Sequence, residues 1–421
     1  MNKTPKSLRL QIGIFGRTNV GKSSFLNMVA GQDVAITSPL PGTTTDVVEK
    51  VMELLPIGPV VFLDTAGLDD ASVLASRRIE KTNKIFDRSD VILLVTEADV
   101  WTEFEEKVCA EVRKRNTSLI IVVNKIDIKQ PTDQFHARLQ ERCERIMLAA
   151  SLDRSRRDDF LNPLKKHLIE VCPEDFIKPP PLLGDLIPAQ ALVVLIIPID
   201  FEAPKGRIIL PQVQAIRDTL DCNSVAMVVK ESEYTMLLQN LKRLPDLVVC
   251  DSQVVDRMVA ETPAGVKCTT FSILFSRLKG DLSEMTRGVS VIDRLQPGDR
   301  ILIAESCSHH AVEDDIGRVK IPRWLKTYVG FDLTIDVCAG RDYPAELHKY
   351  KLIIQCGSCM LGRKETLSRI HRAKEAGVAI TNYGLCISFV KKVLERVLSP
   401  FPAALDVYWG ELANLRKEVA Q

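Results

Sequence analysis

Long apolar runs are missing from this sequence. Its longest, such as Ala191 to Ile199, fall far short of the roughly 20 residues that a membrane-crossing helix needs. A secretory pattern is not expected either. The opening MNKTPKSLRLQIGIFG runs its apolar residues straight into a glycine-rich motif, so a cytoplasmic protein is expected. Net charge is nearly absent, at +1, and aromatics are scarce, at 5%. Neither gives the basic, aromatic-rich surface of an RNA-binding module, so no nucleic-acid partner and no membrane partner are expected. Histidines number six and form no tract, which counts against a metal-trafficking role. No repeat of fixed period occurs. Cysteine alone is plentiful, but eleven is an odd count. A reducing compartment keeps such thiols unpaired, and most are expected as small buried hydrophobes.

What is present is the composition of a folded chain, 46% hydrophobic and 26% charged. At 421 residues it should divide into two or three domains. Four apolar runs open it, Leu8–Phe15, Val60–Leu63, Val91–Val95 and Leu119–Val123, each followed by polar, helix-like sequence. That alternation predicts a doubly wound parallel sheet. Residues 178–188, rich in proline and glycine, are expected as a linker after a first domain at 1–177. Strands are predicted at Leu192–Ile199, Val225–Val229 and Leu247–Cys250, with a helix over Pro211–Leu220. Further strands are predicted at Arg300–Ala304, Lys351–Ile354 and Val378–Thr381, with a helix after Ile387. Domains at 189–268 and 269–421 follow, with a soft boundary near 270.

The run GRTNVGKS, Gly16 to Ser23, has the phosphate-loop spacing between a strand and a helix. Its glycines let backbone N–H groups turn toward phosphate oxygens, and the helix adds its positive end. Lys22 would meet the β- and γ-phosphates, and Ser23 a magnesium ion. Asp64-Thr65-Ala66-Gly67 follows VVFL; there Asp64 can hold a water ligand of magnesium and the Gly67 amide can approach the γ-phosphate. Asn124-Lys125-Ile126-Asp127 follows IIVV. A carboxylate at Asp127 can accept from guanine N1–H and the 2-amino group, a donor pair adenine lacks, so GTP is chosen over ATP. Three motifs at three strand ends share one crevice. The expected activity is hydrolysis of GTP to GDP and phosphate.

These segments, with Pro41-Gly42-Thr43-Thr44-Thr45-Asp46, resemble the Era/TrmE branch of translation-factor-like GTPases. The resemblance implies GTP contacts at Asn19, Val20, Gly21, Lys22, Ser23, Ser24, Thr44, Asp64, Gly67, Asn124, Lys125, Asp127 and Ala150. It implies magnesium held near Ser23, Thr44 and Asp64, and an Asn19 able to coordinate K+. Ala149-Ala150-Ser151 resembles the last guanine loop, with its usual serine replaced. Leu68 stands where a water-orienting glutamine sits elsewhere, and an apolar side chain cannot orient water. Slow intrinsic hydrolysis is expected.

A second constellation is Cys307-Ser308-His309 with Cys356-Gly357-Ser358-Cys359, both directly after apolar strands. Packed cysteines, a Cys3His zinc site, a redox dithiol and an iron–sulfur cluster on three thiolates all fit that spacing. The segments APKGRIILPQVQAIRD, PDLVVCDSQ, FSILFSRLKGDL, AESCSHH, DDIGRVKIPRWL, YKLIIQCGSCM and TNYG resemble the HydF family of FeFe-hydrogenase maturation GTPases over nearly the whole chain. The fold implied is α/β, a P-loop GTPase domain followed by two further α/β domains, one for dimerisation and one for the cluster. The resemblance implies a 4Fe–4S cluster on Cys307, Cys356 and Cys359, with His309 either a fourth ligand or a nearby hydrogen-bond donor. Gln355 occupies the family's second histidine position and is a poor iron ligand. Cys386 is expected as a buried structural thiol. Also implied are a diiron precursor as cargo, radical-SAM hydrogenase maturases and apo FeFe-hydrogenase as partners, and a homodimer, with a tetramer left open. Two rivals stay open: a metal-trafficking GTPase with a zinc site, and an RNA-linked GTPase of the Era/TrmE type.

Overall fold

The computed structural model describes residues 5–31, 48–64, 75–178, 180–199, 206–306, 315–340 and 342–419. The chain forms two compact units, 1–179 and 180–421.

The first unit is built on six strands: β1 (Leu10–Phe15), β2 (Val48–Leu54), β3 (Gly58–Asp64), β4 (Val91–Glu97), β5 (Ser118–Asn124) and β6 (Ile146–Leu148). Their spatial order is β2-β3-β1-β4-β5-β6, and only β2 runs antiparallel to its neighbour. Helices cover both faces, which is why the inner strands are apolar at nearly every position. Ile12 and Ile14 pack with Leu26 and Leu164 in one core, while Phe15 stacks on Phe86 in the other. This is the doubly wound sheet expected. Strands β2 and β6 were not foreseen. In β2 the charged residues of VEKVMEL hide the strand pattern, and an edge strand tolerates such charge.

The second unit holds two four-stranded parallel sheets. One contains β7 (Leu192–Ile196), β8 (Val225–Val229), β9 (Leu247–Cys250) and β10 (Lys267–Thr270), in the order β10-β9-β7-β8. The other contains β11 (Arg300–Ala304), β12 (Thr334–Cys338), β13 (Leu352–Gln355) and β14 (Ala379–Asn382), in the order β12-β11-β13-β14. The predicted strand Leu192–Ile199 ends at Ile196 and has neighbours on both sides, so it is an interior strand. One edge position belongs to β8, where Val225 and Val228 are about half exposed.

One hydrophobic core runs through both sheets. The helix Phe271–Lys279 joins them: it packs on the helix Leu210–Asp221 and on the helices Arg363–Glu375 and Tyr383–Val390. Residues expected as linker are part of this unit from Leu182 onward. Leu182 and Leu183 are buried, and the Leu183 and Gly184 amides donate to Asp218 Oδ2 at 2.8 and 2.9 Å. The last predicted helix starts earlier than expected, at Tyr383, because Asn382 caps it by accepting from the Leu385 amide.

Candidate functional site

The glycine-rich loop and the Cys307 segment each follow a strand at which the sheet reverses its direction of growth. In the first sheet β1 lies between β3 and β4, and in the last β11 lies between β12 and β13. Open α/β sheets leave a crevice outside the carboxyl ends of such strands.

The glycine-rich loop fills the first crevice. Gly21 has φ 93°, and a Cβ there would meet Asn124 Nδ2 at 2.3 Å. Asn19 is also left-handed, at φ 64°, and exposed. Lys22 is buried, and its ammonium donates to the carbonyls of Gly16 at 2.6 Å and Arg17 at 2.9 Å. Those carbonyls hold the ammonium at the loop. Ser23 is exposed, Ser24 half-buried and Val20 fully buried. Asp64 ends β3 and is 4% exposed; Lys50 of β2, itself buried, brings Nζ to 4.0 Å from its Oδ2.

Asn124 binds the crevice together. Its Nδ2 donates to Val20 O at 2.9 Å, and its Oδ1 accepts from Ser151 Oγ at 2.7 Å and Ser151 N at 3.2 Å. Sequence reasoning put Ala150 in this loop; Ala150 is buried there, and Ser151 makes the tie. Lys125 is left-handed at φ 60° and pairs with Glu97. Asp127 is exposed. Arg17 donates to Glu105 at 2.7 Å. Burial would raise the Glu105 carboxyl, yet hydrogen bonds from Thr102 and Arg17 outweigh it and hold it below its ordinary value. Thr44, Gly67 and Leu68 lie outside the described residues.

The second crevice carries the cysteines. Ala304 of β11 is opposite Gln355 of β13, and the Cys356 amide donates to Ala304 O at 3.0 Å. Ser306 then meets Cys356 twice: its amide donates to Sγ at 3.1 Å, and the thiol donates to Ser306 Oγ at 2.9 Å. Ser306 precedes Cys307 directly. Cys307, His309 and His310 themselves lie outside the described residues. Among the described residues no three metal-binding side chains converge. The C-x-x-C turn is tight, with Ser358 left-handed at φ 54°. Gln355 is fully buried, and its Nε2 donates to Ser358 Oγ, so this side chain supports the turn from below. Glu305 is buried and takes Arg318 Nη2 at 2.8 Å, fixing the end of β11. Two residues here were not foreseen. Cys338 closes β12 on the same sheet edge, its thiol raised to about 11 by burial. Lys279 is buried and donates to three carbonyls of the turn, at Ser358, Cys359 and Leu361; burial pushes it down to about 8. Lys279 falls within FSILFSRLKGDL, one of the segments that carry the resemblance, but nothing in that segment pointed to the turn. Cys386 is fully buried and raised to about 12 by burial, as a structural thiol would be.

Comparison with known families bears on both crevices. The hydrogen maturase F dimerization domain matches residues 182–280, and the hydrogen maturase F tetramerization domain matches 283–400. Together they take up just over half of the chain. The chain belongs to the hydrogen maturase F (HydF) family. A third family model, described as a 50S ribosome-binding GTPase, matches residues 11–125, so the first unit of this HydF-type chain is a P-loop GTPase domain. The tRNA modification GTPase MnmE of Synechococcus sp. (strain JA-3-3Ab) is 42% identical over 128 residues, 30% of this chain and 27% of the relative. MnmE of Cyanothece sp. (strain PCC 7425 / ATCC 29141) is 41% identical over 134 residues, 31% of this chain and 28% of the relative. The chain thus spans little more than a quarter of these relatives. Among solved structures, the G domain of the T. maritima FeoB iron transporter aligns at 20% identity and TM-score 0.31, over 39% of this chain and 99% of its own. Among the described residues no helix is long and apolar enough to cross a membrane.

Proposed function

We propose that this HydF-type chain hydrolyses GTP and serves as scaffold and carrier in FeFe-hydrogenase maturation. In the first crevice, Lys22 would exchange its loop carbonyls for the β- and γ-phosphates. Ser23, Asp64 and Thr44 would surround magnesium, with Asn19 available to K+ and the Gly67 amide to the γ-phosphate. Asn124 and Lys125 would shape the guanine pocket with Ala150, and Asp127 would read the base. The outcome is a switch: GTP state alters how the second unit meets its partners.

In the second crevice, Cys307, Cys356 and Cys359 would hold a 4Fe–4S cluster, which supplies an iron with an open coordination position. The observation that carries this reading is the contact of Ser306 with Cys356, one residue before Cys307. It joins the residue before Cys307 to the strand end at Cys356, and three soft thiolates would suit such a cluster. Gln355 is engaged under the turn, which favours a fourth position open to water, to His309 or to the cargo, a diiron precursor. Radical-SAM maturases would load that cargo and apo FeFe-hydrogenase would receive it. A cytoplasmic setting fits this chemistry. The region 189–268 would mediate homodimerisation through the exposed valines of β8, and the cluster region 269–421 would support a tetramer.

The test is anaerobic reconstitution with iron and sulfide, then metal analysis and EPR after reduction. A 4Fe–4S signal lost on replacing Cys307, Cys356 or Cys359 by Ala supports the scaffold. Stoichiometric zinc, with no cluster after its removal, would sink it.

A further inference from the structure

We propose that Lys279 is a positioning residue for the thiolate turn: a buried cation that clamps Cys356–Cys359 and favours the more negative redox state of the cluster held there. The inference rests on the scaffold reading above.

The geometry is specific. Lys279 is the last residue of the helix Phe271–Lys279 and is 2% exposed. Its ammonium donates to Ser358 O at 3.1 Å, Cys359 O at 3.0 Å and Leu361 O at 2.9 Å, and lies 5.3 Å from the Phe275 ring centroid. All three ammonium protons are used, and all three acceptors belong to the turn or its exit. Among the described residues no carboxylate pairs with it. A buried cation facing only neutral carbonyls is costly unless an anion completes its surroundings. Ordinary buried lysines find a carboxylate. The ionisable groups that act on it are Cys359 and Cys356 of the clamped turn, which become negative as thiolates.

A 4Fe–4S cluster on three thiolates supplies that charge: its overall charge is −1 when oxidised and −2 after taking up one electron. A fixed positive charge beside it stabilises the reduced form more than the oxidised one. A merely structural lysine would alter how well the turn folds. It would leave the redox balance of whatever cluster formed unchanged.

The test compares reconstituted full-length wild type with Lys279→Met, Lys279→Gln and Lys279→Arg. Each is titrated electrochemically, with the reduced cluster followed by EPR and iron content measured. At the wild-type midpoint, the Met and Gln variants are expected to shift the reduced-to-oxidised ratio at least tenfold toward oxidised. That is about 59 mV for one electron. Lys279→Arg, keeping the charge, is expected within threefold of wild type. If Met and Gln stay within twofold of wild type at normal iron content, the inference is overturned. If the Met variant assembles no cluster, Gln against Arg decides, and equal midpoints overturn it. A wild-type protein without any reducible cluster would instead defeat the scaffold reading and this inference with it.

Discussion

The side-chain amide of Asn124 donates to the carbonyl of Val20 at 2.9 Å, joining two loops separated by 104 residues of sequence. The same side chain accepts from Ser151, so one residue ties the glycine-rich loop to the segment after β6. Asn124→Ala removes both ties and leaves buried groups unpaired, at a cost of about 1–3 kcal/mol each. Nucleotide affinity should fall by at least an order of magnitude, read by fluorescence titration with a labelled GDP. The melting temperature of the first unit should drop as well.

Asp127 stands exposed at the mouth of that crevice. Its proposed role is a pair of charge-assisted bonds to guanine, together worth about 3 kcal/mol. Asp127→Asn should weaken GTP about 100-fold while admitting xanthosine triphosphate, whose ring offers an acceptor to the amide. Competition between the two nucleotides measures it. Unchanged GTP preference would move base recognition elsewhere.

The buried pair Lys50–Asp64 makes a different prediction. Without Lys50 the Asp64 carboxylate is left without that cation, and a bound magnesium ion should compensate. Lys50→Met should therefore lower the melting temperature of the nucleotide-free protein and enlarge the stabilisation by Mg·GDP. Differential scanning calorimetry with and without Mg·GDP tests this.

Glu105 gives a pH dependence. Its carboxyl is held below the ordinary value of 4.5 in the folded state, so it contributes stability that is present above 4.5. That contribution is lost as pH falls through the lowered folded value. Glu105→Gln removes it. Urea midpoints of wild type should fall more steeply than those of Glu105→Gln below pH 4.5, and the two curves should run parallel at neutral pH.

Strand β8 carries the exposed valines Val225 and Val228 on an edge of its sheet, unpaired among the described residues. Replacing both by Lys should shift the proposed dimer toward monomer without unfolding the chain. Sedimentation velocity would show it, and an unchanged mass would place the dimer contact elsewhere.

Much of this was legible from sequence because parallel strands covered on both faces advertise themselves as apolar runs. Val91–Val95 and Leu119–Val123 sit inside the strands β4 and β5, and the phosphate loop follows β1 as its spacing requires. What escaped notice was set by tertiary contact. In β12, Thr334–Cys338, an aspartate breaks the apolar run at an exposed edge. Residues 182–183 look like linker beside their prolines, yet Asp218 draws the chain into the core. Lys279 and Ser306 lie in the segments FSILFSRLKGDL and AESCSHH, yet neither is a motif residue there; their roles come from the turn they touch.

The helix Phe271–Lys279 shapes any attempt to take the protein apart. The two family matches meet at residues 280 and 283, which invites a cut there. A fragment beginning at 283 would lose the ammonium that holds the carbonyls of Ser358, Cys359 and Leu361. One ending at 269 would lose Phe271, Ile273 and Leu274 from its core. Neither fragment would reproduce the second unit, which must be expressed as a single piece.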